Sequence, residues 1–169
     1  RTGTTSISVA LLECGFKVAH TAYTKHAFEL ADVISDAPCF SDYRQLDALF
    51  PDSKFVYLDR PLALWVSSIQ NLLKKMRPQL EPKTGYLNPV LKRSFEQIFA
   101  LSKNTASFTD QQLIACYQKH QTEVFNYFSG REDFLSIDLS QTNSFSKLCE
   151  FLSIYKQSYA HFPHLNIGK

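Results

Sequence analysis

The chain opens on Arg1-Thr2-Gly3-Thr4-Thr5-Ser6, one basic residue and one glycine among small hydroxyl side chains. The apolar run Ile7-Ser8-Val9-Ala10-Leu11-Leu12 follows at once. That order suits a tight loop feeding straight into a helix N-terminus. Successive backbone N–H groups there, with the positive end of the helix dipole, form a cradle for a phosphate-like anion. Arg1 adds a fixed charge, and Thr4, Thr5 and Ser6 add hydroxyl donors. The nucleotide loop G-x-x-x-x-G-K-[ST] has lysine where this chain has Thr4, so this is a loop of another kind. The same residues also read as a Thr/Ser-rich helix cap.

A second candidate site is Arg60, at the end of the apolar stretch 54–59, with Ser68 eight residues on in an emerging helix. In open parallel sheets, ligands bind outside the carboxyl ends of the strands. A bidentate arginine and a serine hydroxyl there make a clamp for a phosphate monoester. The competing reading is an arginine paired with a carboxylate such as Asp59. Proton transfer would need a base, and Asp36, before the turn at Pro38, and His20, at a strand end, are of a type that can serve. His161 and His164 are the nearest approach to a metal-ligand pair, and Pro163 makes them weak ligands. No metal is expected.

These residues need a scaffold, and the composition supplies one. At 169 residues and 44% hydrophobic, the chain can bury one core and is expected to form a single domain over 1–169. A net charge of +2 is too small to point to nucleic acid as a partner. Cys14, Cys39, Cys116 and Cys149 are widely spaced and form no C-x-x-C pair, which points to a reducing compartment and a cytoplasmic protein. No apolar run is long enough to span a bilayer. A loop of this type hangs from a buried strand, so a first strand is expected upstream of Arg1. That leaves room for a targeting or anchor segment as well.

Periodicity predicts helices over 4–14, 25–34, 41–50, 61–76, 89–102, 109–128 and 144–153, with a loop over 77–88. Strands are predicted over 17–21, 54–59 and 134–138. The near-continuous apolar character of Phe55-Val56-Tyr57-Leu58 argues for a buried parallel strand. Alternating strands and helices argue for a three-layer α/β/α domain with a mainly parallel sheet. Trp65 and Tyr117 read as core residues before ligand-stacking ones, and His120 as a hydrogen-bonded structural histidine.

Taken together, the basic-x-Gly-Thr-Thr loop of residues 1–5 and the strand-end Arg60 with Ser68 resemble the nucleotide-binding elements of the sulfotransferases. Phe50-Pro51-Asp52-Ser53-Lys54-Phe55, Asp36-Ala37-Pro38, Trp65 with Ser68, His120, Leu148-Cys149-Glu150-Phe151-Leu152 and Phe162-Pro163-His164-Leu165-Asn166 are similar to segments of its bacterial and protist-type branch. The resemblance implies a P-loop NTPase-like fold. It also implies metal-free, in-line transfer of a sulfuryl group from 3′-phosphoadenosine 5′-phosphosulfate to a hydroxyl or amine on a small molecule, glycan or lipid. Arg1, Thr2, Gly3, Thr4, Thr5 and Ser6 would hold the 5′ end of the donor, and Arg60 with Ser68 its 3′-phosphate. Arg1 and Thr4 would stabilise charge on the departing oxygen, and Asp36 or His20 would take the acceptor's proton. Arg1 stands where the well-studied cytosolic enzymes have lysine, so its part is electrostatic. Two rival readings stand beside this one: an ATP–magnesium phosphotransferase with Asp59 or Asp138 on the metal, and a non-catalytic nucleotide- or protein-binding member of the fold.

Overall fold

The computed structural model of the chain describes residues 2–103, 107–155, 161–163 and 165. The expectations placed on Arg1, His164 and Asn166 lie outside the described residues. The fold is α/β. Helix α1 (Thr4–Glu13) leads through Gly15 to β1 (Val18–His20), α2 (Lys25–Leu30), β2 (Val33–Ser35) and α3 (Cys39–Leu49). Then come β3 (Phe55–Asp59), α4 (Leu62–Leu80), α5 (Pro89–Phe99), α6 (Asp110–Tyr127), β4 (Phe134–Asp138) and α7 (Ser144–Leu152). Among the described residues no helix is long and apolar enough to cross a membrane.

Both ladders are parallel, as the alternation of strands and helices requires. Strand β1 pairs with β2, placing His20 opposite Ser35. Strand β3 pairs with β4 from Phe55 opposite Phe134 to Asp59 opposite Asp138. Among the described residues these remain two separate two-stranded sheets.

Side chains alternate across β3 and β4, and each face is covered. Val56, Leu58, Leu135 and Ile137 pack with Ile7, Ala10 and Leu11 of α1 and with Phe145 and Leu148 of α7. Phe55, Tyr57 and Phe134 pack on the other face against Tyr43 of α3 and Val124 and Phe128 of α6. Val18 and Val33 join the α1 cluster, so this one helix lies across both ladders. Phe145 and Leu148 are 1% and 0% exposed, and burial of such a side chain contributes about 1.5–3 kcal/mol. A separate helical cluster ties α4, α5 and α6 through Trp65, Leu73, Phe95, Phe99, Leu113 and Tyr117.

Two sequence expectations are corrected. The helix predicted over 25–34 stops at Leu30, and its last residues turn into β2. Ala31 is already extended, and the Asp32 carboxylate accepts the Lys17 N–H at 2.8 Å. β-Branched Val33 and Ile34 then pair with β1, because ladder burial outweighs a six-residue helical pattern. The loop predicted from residue 77 begins only after Leu80, since α4 runs through Pro78. A proline in the last turn removes one helical bond, while the helix gains the burial of Leu80. The following loop is held by Lys92, whose Nζ donates to the carbonyls of Glu81 at 2.8 Å and Gly85 at 2.5 Å. Other ends move by a residue or two. Helix α5 stops at Phe99 because Ala100 is left-handed, and α6 starts on a Thr109–Gln112 capping box.

Candidate active site

The opening loop needs its glycine. Gly3 caps α1 at φ 108°, a left-handed backbone that side chains rarely adopt. A Cβ there would also lie 2.5 Å from Leu139 Cδ1. The first intrahelical bond runs from Ile7 N–H to Gly3 O at 3.1 Å. The N–H groups of Thr4, Thr5 and Ser6 therefore precede the helical ladder, at the positive end of the dipole. Gly3 brings no side chain to cap them.

Leu139 also locates Arg60. It is the residue after β4, and Arg60 is the residue after β3. The ladder sets Asp59 opposite Asp138, so the two follow at the same level. The Gly3 loop and Arg60 thus share the carboxyl edge of this ladder. Asp59 Oδ1 accepts the Arg60 backbone N–H at 2.8 Å, Gln121 Nε2 at 3.2 Å and the Tyr117 hydroxyl. Burial, with this bond to Asp59 behind it, pushes the Tyr117 hydroxyl up to about 12. Ser68 is half-buried on α4, in the second turn after Arg60. A cavity of about 240 Å³ opens beside the loop, lined by Leu139, Ser140, Thr142, Phe145 and Phe162.

The two base candidates meet on the other ladder. His20 ends β1, and Asp36 follows β2 with φ 63°. Their closest atoms, Nε2 and Oδ2, are 3.9 Å apart, with the two side chains 39% and 32% exposed. Thr4 Oγ1 donates to Asp36 Oδ2 at 2.9 Å, which ties the loop to this pair. Two residues that the sequence did not single out complete the cluster. Ser8 Oγ lies 2.7 Å from Ser35 Oγ, and Ser35 Oγ lies 2.9 Å from His20 Nδ1. Ser8 also donates to Thr4 O at 2.7 Å. The signal that marks Ser8 is a polar residue on the buried face of an apolar helix, one turn from Thr4.

The remaining site residues are placed as follows. Thr2 and Thr5 are half-buried in the loop and first turn, and buried Ser6 accepts the Leu165 N–H at 3.4 Å. Trp65 and Tyr117 are both 6% exposed and pack edge to face at 4.8 Å inside the helical cluster, so core packing is their role. His120 bonds the Phe40 carbonyl at 2.7 Å, and burial lowers its pKa, as a neutral structural histidine requires. Cys39, close to Asp36, is pushed up to about 12 by burial first and by that carboxylate second. It is a protonated thiol and no nucleophile. Among the described residues no cluster of three or more His, Cys, Asp or Glu is arranged to hold a metal ion.

Comparison with known proteins gives this geometry its setting. No match to the chain is found among curated proteins. A family model described as the sulfotransferase domain matches residues 21–169. The match includes Asp36, Arg60 and Ser68 and starts just after the loop and His20. Covering most of the chain, it establishes that the chain belongs to the sulfotransferase family.

Proposed function

We propose that the carboxyl edge of the strands transfers a sulfuryl group from 3′-phosphoadenosine 5′-phosphosulfate to a hydroxyl or amine acceptor. The observation that carries this reading is the meeting of the Gly3 loop with the strand-end Arg60 at one edge, through Leu139. A loop with no Cβ at its tightest point, opening a ten-residue helix, fits the 5′ end of such a donor. Arg60, with Ser68, grips the 3′-phosphate, a group that ATP lacks. The Thr4, Thr5 and Ser6 end of α1 and the Arg1 charge hold the 5′-phosphate.

In the transfer the acceptor oxygen or nitrogen bonds to sulfur as the bond from sulfur to the bridging oxygen breaks. The electron pair leaves on the 5′-phosphate, giving adenosine 3′,5′-bisphosphate. Donors fixed on that oxygen stabilise the transition state more than the ground state. The acceptor's proton goes to the Asp36–His20 pair, which Thr4 holds against the loop. The charge of the leaving group is met by Arg1 and the helix end, and no step calls for a metal. The acceptor is a small molecule, glycan or lipid that reaches this edge.

Calorimetry tests the reading. Adenosine 3′,5′-bisphosphate binds without metal, Arg60→Ala abolishes binding, and ATP with magnesium binds more weakly. A preference for ATP–magnesium would hand the site to phosphoryl transfer.

A further inference from the structure

The hydroxyls around His20 can be followed one hydrogen at a time. Ser8 carries one hydroxyl hydrogen, and the Thr4 carbonyl, which can only accept, takes it at 2.7 Å. Ser8 Oγ must then accept both in its 2.7 Å contact with Ser35 and in its 3.3 Å contact with His20 Nδ1, so Ser35 donates to Ser8 and Nδ1 carries a hydrogen toward it. Having given up its only hydrogen, Ser35 must accept in the 2.9 Å contact with His20 Nδ1. The chain therefore runs from Nδ1–H through Ser35 and Ser8 to the backbone of α1. It places the ring hydrogen on Nδ1 and leaves the lone pair on Nε2. Among the described residues no acceptor bonds Nε2, and Asp36 Oδ2 stands 3.9 Å away, beyond hydrogen-bond reach.

We infer that Ser8 and Ser35 are positioning residues that fix the tautomer of His20, so that Nε2 is the atom that takes the acceptor's proton. The inference rests on the transfer reading of this edge. It orders the two base candidates, with His20 receiving the proton and Asp36 flanking it. On transfer the acceptor's O–H or N–H bond breaks, its electron pair goes to sulfur, and the proton forms an Nε2–H bond. The resulting imidazolium keeps its Nδ1–H bond to Ser35 and lies beside the Asp36 carboxylate, which opposes its charge. The hydroxyl chain needs no rearrangement in either state, since the hydrogen on Nδ1 is common to both. This is how the hydrogen bond at one ring nitrogen sets the chemistry of the other.

Ser8→Ala gives the sharpest test. Without Ser8, the Ser35 hydroxyl turns its hydrogen toward His20 Nδ1, and the ring is driven to the Nε2–H tautomer. Nitrogen-15 NMR of the histidine-labelled chain, with the His20 signals assigned from His20→Gln, reads this directly and needs no substrate. The wild type shows a protonated Nδ1 and a bare Nε2, and Ser8→Ala moves the hydrogen to Nε2. A steady-state assay then shows a kcat lowered by about tenfold, as one neutral hydrogen bond can shift a tautomer ratio. KM for the donor stays unchanged, and Ser35→Thr, which keeps the hydroxyl, retains the wild-type tautomer. An Nε2–H signal in the wild type, or an unchanged His20 signal in Ser8→Ala, overturns the inference. Loss of bisphosphate binding by the wild-type protein would instead strike at the transfer reading, while the tautomer result would stand on its own.

Discussion

Two polar clusters sit at opposite ends of the strands, and they are built on different principles. At the amino end of the β3–β4 ladder, Arg131 reaches Asp47 through both terminal nitrogens, at 2.6 and 2.7 Å. It also holds Asp133 at 2.9 and 2.5 Å, and its guanidinium lies 4.9 Å from the Phe128 ring centre. The Tyr127 hydroxyl donates to Asp47 at 2.7 Å. Arg131 and then Tyr127 hold the Asp47 carboxyl down to about 2. Every strong group there faces a partner of opposite charge, and the cluster is closed. At the carboxyl edge, neutral hydroxyls hold His20 and Asp36 in place without neutralising them. A bidentate ion pair fixes geometry by consuming charge, whereas a hydroxyl chain fixes geometry and leaves the charge for a reactant.

Substitutions should separate the two ends. The largest effect is expected from His20→Gln, which removes the base and lowers kcat by about 10²–10⁴. Its melting temperature should stay close to the wild type, because the side chain is 39% exposed. Equal loss of stability and turnover would show that the carboxyl-edge cluster is structural, like the other. Gly3→Ala comes next. Forcing a side chain into φ 108° against Leu139 should cost about 1–3 kcal/mol and remove nucleotide binding. Unchanged binding in a stably folded Gly3→Ala would show that the loop is not the cradle.

Arg131→Ala should do the reverse, lowering the melting temperature while nucleotide affinity stays at the wild-type value. Loss of affinity there would blur the distinction between the ends. The smallest effect is a pH dependence. Folding depresses the Asp47 pKa from 3.8 to about 2, so between those values the unfolded chain binds more protons. The contribution of Asp47 is present above about pH 4 and is lost as pH falls toward 2. Urea midpoints should therefore drop over this window in the wild type and drop less in Asp47→Asn.

The strongest signals in the sequence were those with a single physical cause. Residues 55–58 are apolar on both faces, and β3 lies where a strand covered on both sides must. The one glycine in the opening loop sits at the position that needs φ above zero. Strand β2 was hidden because Ala27, Phe28, Ala31 and Ile34 keep helical spacing, and only pairing with β1 decides that Ile34 is extended. The end of α4 was hidden because Pro78 reads as a breaker unless the burial of Leu80 is known. His20 was legible as a strand-end residue and Asp36 as a turn residue before Pro38, both of a type that can take a proton. Ser8 and Ser35 were not, since a serine in a helix and another before a turn gain meaning only when the fold sets their hydroxyls 2.7 Å apart.

The central claim is that the carboxyl edge, and not the amino end, receives the donor. Titration of the nitrogen-15-labelled chain with adenosine 3′,5′-bisphosphate, followed by amide chemical shifts, tests it most directly. The account predicts large shifts at Gly3, Thr4, Thr5, Ser6, Arg60 and Leu139, with Asp47, Arg131 and Asp133 left in place. Shifts centred on the Arg131 cluster, or none anywhere at saturating nucleotide, would contradict it.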